Sequence, residues 1–168
     1  MSAIVADLDS LRSQPGFAPM PLDVAALLTE AGTRWEQPLM IRDRLLAIVM
    51  APDLPRGLAP PAAIRQILDV LISNALWHGE GTVTLAARQD AGRIAIEVSD
   101  EGPGLPGGVP EHPDGPDGHG RGLPLARSLT EAVGGSLELR HASPAPVFTL
   151  SLLAAGDVTQ PADRGSNR

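Results

Sequence analysis

The sequence of 168 residues predicts an α+β protein in two layers, with helices packed on one face of a mixed, mostly antiparallel sheet. The strongest helical pattern covers residues 61–78, where apolar side chains recur every three or four positions behind Pro60 and Pro61. Apolar and polar residues then alternate at 82–88 and again at 93–99, on either side of "QDAG", which predicts a hairpin. A helix that is apolar on one side needs such a sheet to cover it.

Shorter patterns place the elements of the N-terminal half. Residues 4–11 carry an apolar helical stripe that ends before Pro15. A second helix is predicted to begin after Pro21 and to reach about Trp35. The run "LLAIVM" at 45–50 reads as a strand.

The C-terminal half is predicted in the same way. A long loop rich in glycine and proline occupies 101–121, and such a loop inside a compact domain is typical of function or disorder. A helix follows at 122–133, stopped by Gly134 and Gly135, and two strands close the domain at 136–141 and 147–153. We therefore expect one domain over 20–154, preceded by a helical segment and linker at 1–19 and followed by a polar, disordered tail at 155–168.

Composition excludes several classes of function. The net charge of −7 argues against nucleic acid as a partner, because the phosphate backbone repels an acidic surface. No apolar run is long enough for a membrane span, and the N-terminus lacks the basic region of a signal peptide. The absence of cysteine rules out disulfides and fits a reducing cytoplasm.

Three stretches carry polar residues or glycines where a core pattern would not place them. The strand at 93–99 ends on Asp100, which is followed by "EGPG", and a carboxylate there can accept a hydrogen bond from an amine such as that of adenine. The segment "GHGRGL" at 118–123 leads into a helix, whose N-terminal N–H groups favour phosphate. Asn74 interrupts an apolar helix, and its carbonyl oxygen suits Mg²⁺. Each signal alone is matched by an ordinary turn, loop or exposed amide, but together they favour a nucleotide site.

These stretches carry a resemblance to a known family. "LISNALWHG", "VSDEGPGLP" and "GHGRGLPLA" look like the N, G1 and G2 boxes of the gyrase/Hsp90/histidine-kinase/MutL ATPase superfamily. From about Pro21 to Leu153 the chain most resembles the catalytic ATP-binding domain of sensor histidine kinases, which implies a Bergerat-type fold with ATP and Mg²⁺ as cofactors.

The resemblance also assigns roles by position. It makes Asn74 the ligand of Mg²⁺ and phosphate and Asp100 the reader of adenine, with Gly102 and Gly104 shaping the adenine pocket. The hinge of a lid near the phosphates falls on Gly118, Gly120, Gly122 and Leu123. Apart from the resemblance, Arg121 lies among these residues and could approach the γ-phosphate.

Some positions depart from the family. Val70 stands where the family usually has Asn, Asp or Glu, and Asp69, one step around the helix, is not expected to replace it. The chain therefore lacks the residue that activates water, which argues against vigorous ATP hydrolysis. Trp77 replaces a common basic residue; we expect Trp77 and Trp35 to be packing residues and Glu101 to be solvated. The loop also lacks the family's phenylalanine-containing motif.

The phosphoacceptor is not recognisable in this sequence. None of the four histidines lies in a motif like H-E-x-x-x-P. Residues 2–13 resemble the tail of the family's second dimerisation helix. The sequence is therefore expected to be either a piece of a longer kinase or the ATP-binding half of a split kinase, and we favour the split kinase. The expected partners are a separate protein with the acceptor histidine and dimerisation helices, and a downstream response regulator. We expect the chain in the cytoplasm without inserting into the membrane, to which its partner could recruit it. Two alternatives stay open: a serine kinase that acts as an anti-sigma factor, and a nucleotide-binding regulator with weak catalysis.

Overall fold

The computed structural model describes residues 17–104 and 122–156. It confirms the α+β class and the two layers. The elements are, in order, β1 (Met20–Leu22), α1 (Val24–Met40), β2 (Leu46–Met50), β3 (Gly57–Ala59), α2 (Pro61–His78), β4 (Val83–Asp90), β5 (Arg93–Ser99), α3 (Gly122–Ala132), β6 (Ser136–His141) and β7 (Val147–Leu153). The predicted helix at 4–11, most of the loop at 101–121 and most of the tail lie outside the described residues.

Five strands form the main sheet, in the order β2-β4-β5-β7-β6. Strand β2 is parallel to β4, and the other neighbours are antiparallel. In the middle of the sheet Ile96 of β5 lies opposite Ala87 of β4 and Leu150 of β7. The strand boundaries of β5, β6 and β7 agree with those predicted from alternation.

The core lies between the inner face of this sheet and the three helices. Alternate residues of the central strands point inward and are almost fully buried: Val83, Leu85, Ile94, Ile96, Val98, Phe148, Leu150 and Leu152. Helix α2 has the predicted bounds and buries its whole apolar stripe against them, with Ile64, Ile67, Leu68, Leu71 and Ile72 at 0–1% exposure. None of the helices in the described ranges is long and apolar enough to cross a membrane.

Helix α1 is longer than predicted. Asp23 caps it by accepting a hydrogen bond from the Ala26 N–H at 2.9 Å, as the position after Pro21 suggests. The helix continues past Trp35 and through Pro38 to Met40. Leu39 is fully buried, and packing at that position offsets the unfavourable proline.

Two short strands were not predicted. Strands β1 and β3 have three residues each and pair with one another, Met20 opposite Ala59 and Leu22 opposite Gly57. Gly57 also forms an isolated bridge with Ala154, just after β7. Three residues are too few to show a period of two. The β4–β5 turn is also tighter than "QDAG": only Ala91 and Gly92 turn, with φ of 49° and 79°, as in the two-residue hairpin turn with left-handed backbone.

An ion-pair network joins α1 to α2. Both carboxylate oxygens of Asp69 accept hydrogen bonds from Arg34 Nη1, and Trp35 Nε1 donates to one of them at 2.8 Å. Glu30 pairs with Arg65 and Arg34, and the hydrogen bond from Arg65 contributes most to lowering the pKa of the Glu30 carboxyl. Asp69 therefore holds the two helices together. This agrees with the expectation that it does not replace the polar residue that the family usually has at position 70.

Candidate functional site

Asp100 lies at the end of β5 and is 7% exposed. Its Oδ1 accepts a hydrogen bond from the Gly102 N–H at 2.7 Å and a longer one from the Glu80 N–H at 3.4 Å. Its Oδ2 has no hydrogen-bond partner among the described residues. A buried carboxylate that uses one oxygen to hold its own backbone keeps the other for a ligand that donates.

Two glycines make room for this carboxylate, and a third lies against the β6–β7 turn. A Cβ at Gly79 would overlap the Asp100 carboxyl group, and one at Gly102 would come within 2.7 Å of Asp100 Oδ1. Gly104 has φ +78°, and a Cβ there would overlap the Ala142 carbonyl oxygen. Gly102 and Gly104 were singled out in the sequence, whereas Gly79 was read only as the end of α2.

Arg44 holds the segment that faces Asp100. Its side chain is buried against the C-terminus of α2 and donates to five backbone carbonyls there. Two of these belong to the helix and three to the residues that follow it: Ala75, Leu76, Gly79, Glu80 and Gly81. The last carbonyls of a helix have no partner within it, so one guanidinium satisfies a set of acceptors that would otherwise need water. Sequence reasoning missed Arg44, because the partners lie 31–37 residues away.

Glu101 closes the same segment from the other side, and the prediction that it is only solvated is wrong. Its carboxylate accepts from the Thr82 N–H at 2.6 Å, and its own N–H donates to the Glu80 carbonyl at 3.0 Å. A Cβ at Gly81 would overlap Glu101 Oε2, so glycine is required there as well. The "GEG" at 79–81 is the sequence signal that could have suggested a close approach.

The β6–β7 turn supports the residues after Asp100. The Ala145 N–H donates to the Gly102 carbonyl at 2.9 Å, and the Ser143 hydroxyl donates to the Pro103 carbonyl at 2.7 Å. A small cavity remains between this turn and the end of α2. It is lined by Asn74, His78, Gly79, Asp100, Gly104 and Pro146.

A larger cavity of about 360 Å³ lies on the other side of Asn74. It runs along α2 between α1 and the start of α3, and Asn74 and His78 line it as well as the small cavity. Gly122 and Leu123 form its wall at α3, where a Cβ on Gly122 would lie 3.2 Å from Val70 Cγ1. The half-buried amide of Asn74 has no hydrogen-bond partner among the described residues, so it is available to a ligand in either cavity.

The structure thus brings together six of the predicted site residues, namely Asn74, Asp100, Gly102, Gly104, Gly122 and Leu123. The other three, Gly118, Gly120 and Arg121, lie outside the described residues. His78 joins the set unpredicted, because it follows Asn74 by one helical turn on the same face.

The two tryptophans behave differently. Trp35 is half-buried and packs against the core, as predicted. Trp77 is 54% exposed with the Arg42 guanidinium 3.9 Å above its ring, so the prediction of a packing residue is wrong there. The apolar stripe of α2 ends at Leu76, and the next residue points outward to the rim of the larger cavity.

A metal ion at this site would have to rely on few protein ligands. The described residues contain no group of three or more His, Asp or Glu side chains that could hold one. The unpartnered Asn74 amide offers one hard oxygen, which fits the way Mg²⁺ binds with nucleotide phosphates and water as its other ligands.

Comparison with known proteins identifies the class. Residues 59–156 match the family described as histidine kinase-, DNA gyrase B- and HSP90-like ATPases, and the chain belongs to this family. Within it, the chain fits the ATP-binding domain of a sensor histidine kinase.

Individual relatives agree with this assignment. The chain is 27% identical to the adaptive-response sensory kinase SasA of Synechococcus sp. (strain CC9311) over 82% of its length, and 30% identical to the alginate biosynthesis sensor protein KinB of Pseudomonas aeruginosa over 79%. It spans only 39% and 24% of those proteins.

Solved structures show the same fold. Full-length ShkA in complex with AMPPNP matches over 90% of this chain and 35% of its own, with a TM-score of 0.75 and 25% identity. The catalytic domain of the histidine kinase ThkA matches over 81% of this chain and 95% of its own, with a TM-score of 0.70 and 19% identity.

The glycine geometry yields a prediction. In Gly102→Ala the new methyl group should push against Asp100 Oδ1 and the neighbouring backbone, and so displace the carboxylate. ATP affinity should then fall by about 10- to 150-fold, because the hydrogen bond from the nucleotide to the charged Asp100 is lost. Gly134→Ala is the matched control, since φ is +74° there but nothing lies within 4 Å of the new methyl. The control should lose about 1 kcal/mol of stability and keep its ATP affinity. Calorimetric titration and thermal unfolding of both variants measure this; equal ATP affinity in Gly102→Ala and the control contradicts the expectation.

Proposed function

We propose that this chain binds ATP with Mg²⁺ and transfers the γ-phosphate to a histidine on a separate polypeptide, as the catalytic part of a two-component sensor kinase. The observation that carries the proposal is the Asp100 carboxylate, buried at the end of β5 with one oxygen bound to backbone and one without a partner, close to the Asn74 amide. We place this activity in the cytoplasm, with a response regulator downstream.

Asp100 would recognise the base. An ionised carboxylate only accepts hydrogen bonds, so it pairs with the amine of adenine and is unfavourable beside the carbonyl oxygen of guanine. Gly102 and Gly104 bring backbone close enough to enclose a flat ring, and Pro146 offers an apolar surface in the same cavity. In this proposal the base binds at the small cavity, whose volume of about 10 Å³ has to grow to admit a purine ring.

The larger cavity would take the phosphates. Gly122 begins α3, whose first N–H groups have no partners within the helix and whose dipole favours an anion. Asn74 would contribute its carbonyl oxygen to Mg²⁺, and the ion, when bound, would neutralise charge on the β- and γ-phosphate oxygens. Arg121, directly before α3 in the sequence, is assigned to the γ-phosphate.

The acceptor would be an imidazole brought by another chain. An imidazole nitrogen forms a bond to the γ-phosphorus while the bond to the bridging oxygen breaks and ADP leaves. A neutral imidazole attacks without prior loss of a proton, so Val70 is tolerable where a base would otherwise stand. Of the two described histidines, His78 lies on the wall of the site itself and His141 at the end of β6, its Nδ1 3.2 Å from the Ala145 carbonyl oxygen.

The first prediction from this proposal concerns the base. Asp100→Ala should weaken ATP binding by roughly 1.5–3 kcal/mol, the usual size of a hydrogen bond to a charged group. The wild-type chain should bind GTP poorly. Titration calorimetry with both nucleotides is the measurement. If the wild type bound GTP as well as ATP, or if the variant bound ATP normally, Asp100 would not be the base reader.

The second concerns the metal. Asn74→Ala should remove the Mg²⁺-dependent part of ATP affinity and keep the fold, because alanine favours the helix in which Asn74 sits. ATP titrations in Mg²⁺ and in EDTA separate the two contributions. A loss of the same size in both buffers contradicts a role for Asn74 as metal ligand.

The third concerns the transfer. The purified chain incubated with γ-labelled ATP should stay unlabelled, and adding a helical-hairpin protein with the acceptor histidine should produce an acid-labile, alkali-stable phosphate on that protein. The same hairpin with its histidine replaced by alanine is the control.

The two open alternatives predict other results. Strong labelling of the chain alone contradicts transfer to a partner. An acid-stable label on the partner indicates serine or threonine transfer, as in an anti-sigma kinase. No label on any partner, with normal ATP binding, favours a nucleotide-binding regulator, for which Val70 is the supporting observation.

A further inference from the structure

We propose that Arg44 is the positioning residue for base recognition: it fixes the segment after α2 so that Asp100 presents one oxygen to the amine of the base. This inference rests on the proposed role of Asp100. Arg44 lies on the segment between α1 and β2, outside the N, G1 and G2 stretches, and it lines neither cavity. Its effect on the ligand must therefore pass through the backbone.

All three guanidinium nitrogens of Arg44 donate to backbone carbonyls. Nε donates to the Gly81 carbonyl at 2.9 Å, Nη2 to Glu80 at 2.9 Å, and Nη1 to Gly79 at 3.2 Å as well as to the helix carbonyls of Ala75 and Leu76. Arg44 is 9% exposed, and it forms no ion pair with a carboxylate in the described part of the chain. Its charge is balanced instead by the carbonyl ends at the C-terminus of α2, where the helix dipole favours a cation.

The segment held by Arg44 touches Asp100 directly. The Glu80 N–H reaches Asp100 Oδ1, and the Glu80 carbonyl accepts from both Arg44 Nη2 and the N–H of Glu101, the residue after Asp100. Glu80 is flanked by Gly79 and Gly81, of which Gly81 has φ +61°. A Gly-Glu-Gly stretch has many backbone conformations open to it, so this one has to be imposed from outside.

Without the guanidinium, the segment would lose three of its restraints. The Gly102 N–H would still hold Asp100 Oδ1, but Glu80 could move away and the carboxylate would rotate. The expected loss is specific: a ligand that donates to Asp100 is weakened, and a ligand that does not donate is little affected.

Inosine triphosphate tests this specificity, because it carries a carbonyl oxygen where adenine has its amine. Its N1 carries a hydrogen where adenine N1 is an acceptor, and the rest of the molecule is the same as ATP. We expect the wild-type chain to prefer ATP over ITP by about 10-fold or more. In Arg44→Gln, ATP affinity should fall about 10-fold while ITP affinity changes by less than about 2-fold, so that the preference disappears. Arg44→Lys keeps the charge but has three donors for five carbonyls. Its preference for ATP over ITP should lie between those of the wild type and Arg44→Gln.

Arg93→Gln is the matched control. Arg93 is partly buried and donates to Ser151 Oγ at 2.9 Å and to the Ser151 carbonyl, but on the outer face of the sheet away from α2. The Arg93→Gln variant should keep the preference for ATP over ITP, even where the substitution lowers its stability. Thermal unfolding and ATP and ITP titrations are run on all four proteins, and Arg44→Lys carries the test if Arg44→Gln does not fold.

The outcomes separate the two proposals. If the wild type shows no preference for ATP over ITP, the role of Asp100 is wrong. If the wild type prefers ATP and both Arg44 variants weaken ATP and ITP equally, or keep the wild-type ratio, Arg44 only supports the fold and the positioning role is overturned. Amide hydrogen exchange of Glu80 gives a second readout in Arg44→Lys: exchange accelerated at Glu80 relative to the buried amides of β5 supports the proposal, and unchanged relative protection contradicts it.

Discussion

The end of helix α2 is the constraint on which the site depends. A helix leaves its last carbonyls without internal partners, and here they surround the Arg44 side chain, which is 9% exposed. The Arg44 guanidinium donates to the Ala75 and Leu76 carbonyls and at the same time fixes residues 79–81, which lead toward β4. Asp100 can be buried without a basic partner because the backbone in front of it is held this firmly.

Helix α2 divides its surface among three tasks, and the angle of about 100° between successive residues keeps them apart. Its apolar stripe is buried under the sheet. Asp69 points to α1, where Arg34 and Trp35 hold it, whereas Val70 points to Gly122 at the start of α3. Asn74 and His78, one turn apart, face the two cavities between them. One residue of rotation therefore decides whether a side chain fastens helices or lines the site.

Local sequence patterns predicted the elements that are long enough to show a repeating pattern of burial. Helix α2 and strands β5, β6 and β7 have the predicted bounds because their burial follows one period throughout. Three other features depend on contacts between residues that are far apart in the sequence, so no short stretch of sequence predicts them. These are the pairing of β1 with β3, the contact of Arg44 with the end of α2, and the hydrogen bond from Thr82 to Glu101. The same holds for the site. Asn74, Asp100, Gly102 and Gly104 were singled out because short stretches of the sequence resemble family motifs, whereas Gly79, Arg44 and the exposure of Trp77 follow only from how the helices and turns pack.

The chemistry of the larger cavity favours one kind of acceptor. Its described lining offers an amide, a helix N-terminus and an apolar valine, and Asp69, the carboxylate nearest to Val70 in sequence, is bound to Arg34 and Trp35. A serine or threonine hydroxyl attacks phosphorus well only when a base takes its proton. In the described lining the carboxylate of Asp69 is already bound, and the other titratable side chain is that of His78. An imidazole has a lone pair ready at neutral pH and needs only to be positioned beside an activated phosphate. This difference between the two nucleophiles is the reason that we propose a histidine acceptor rather than a hydroxyl one.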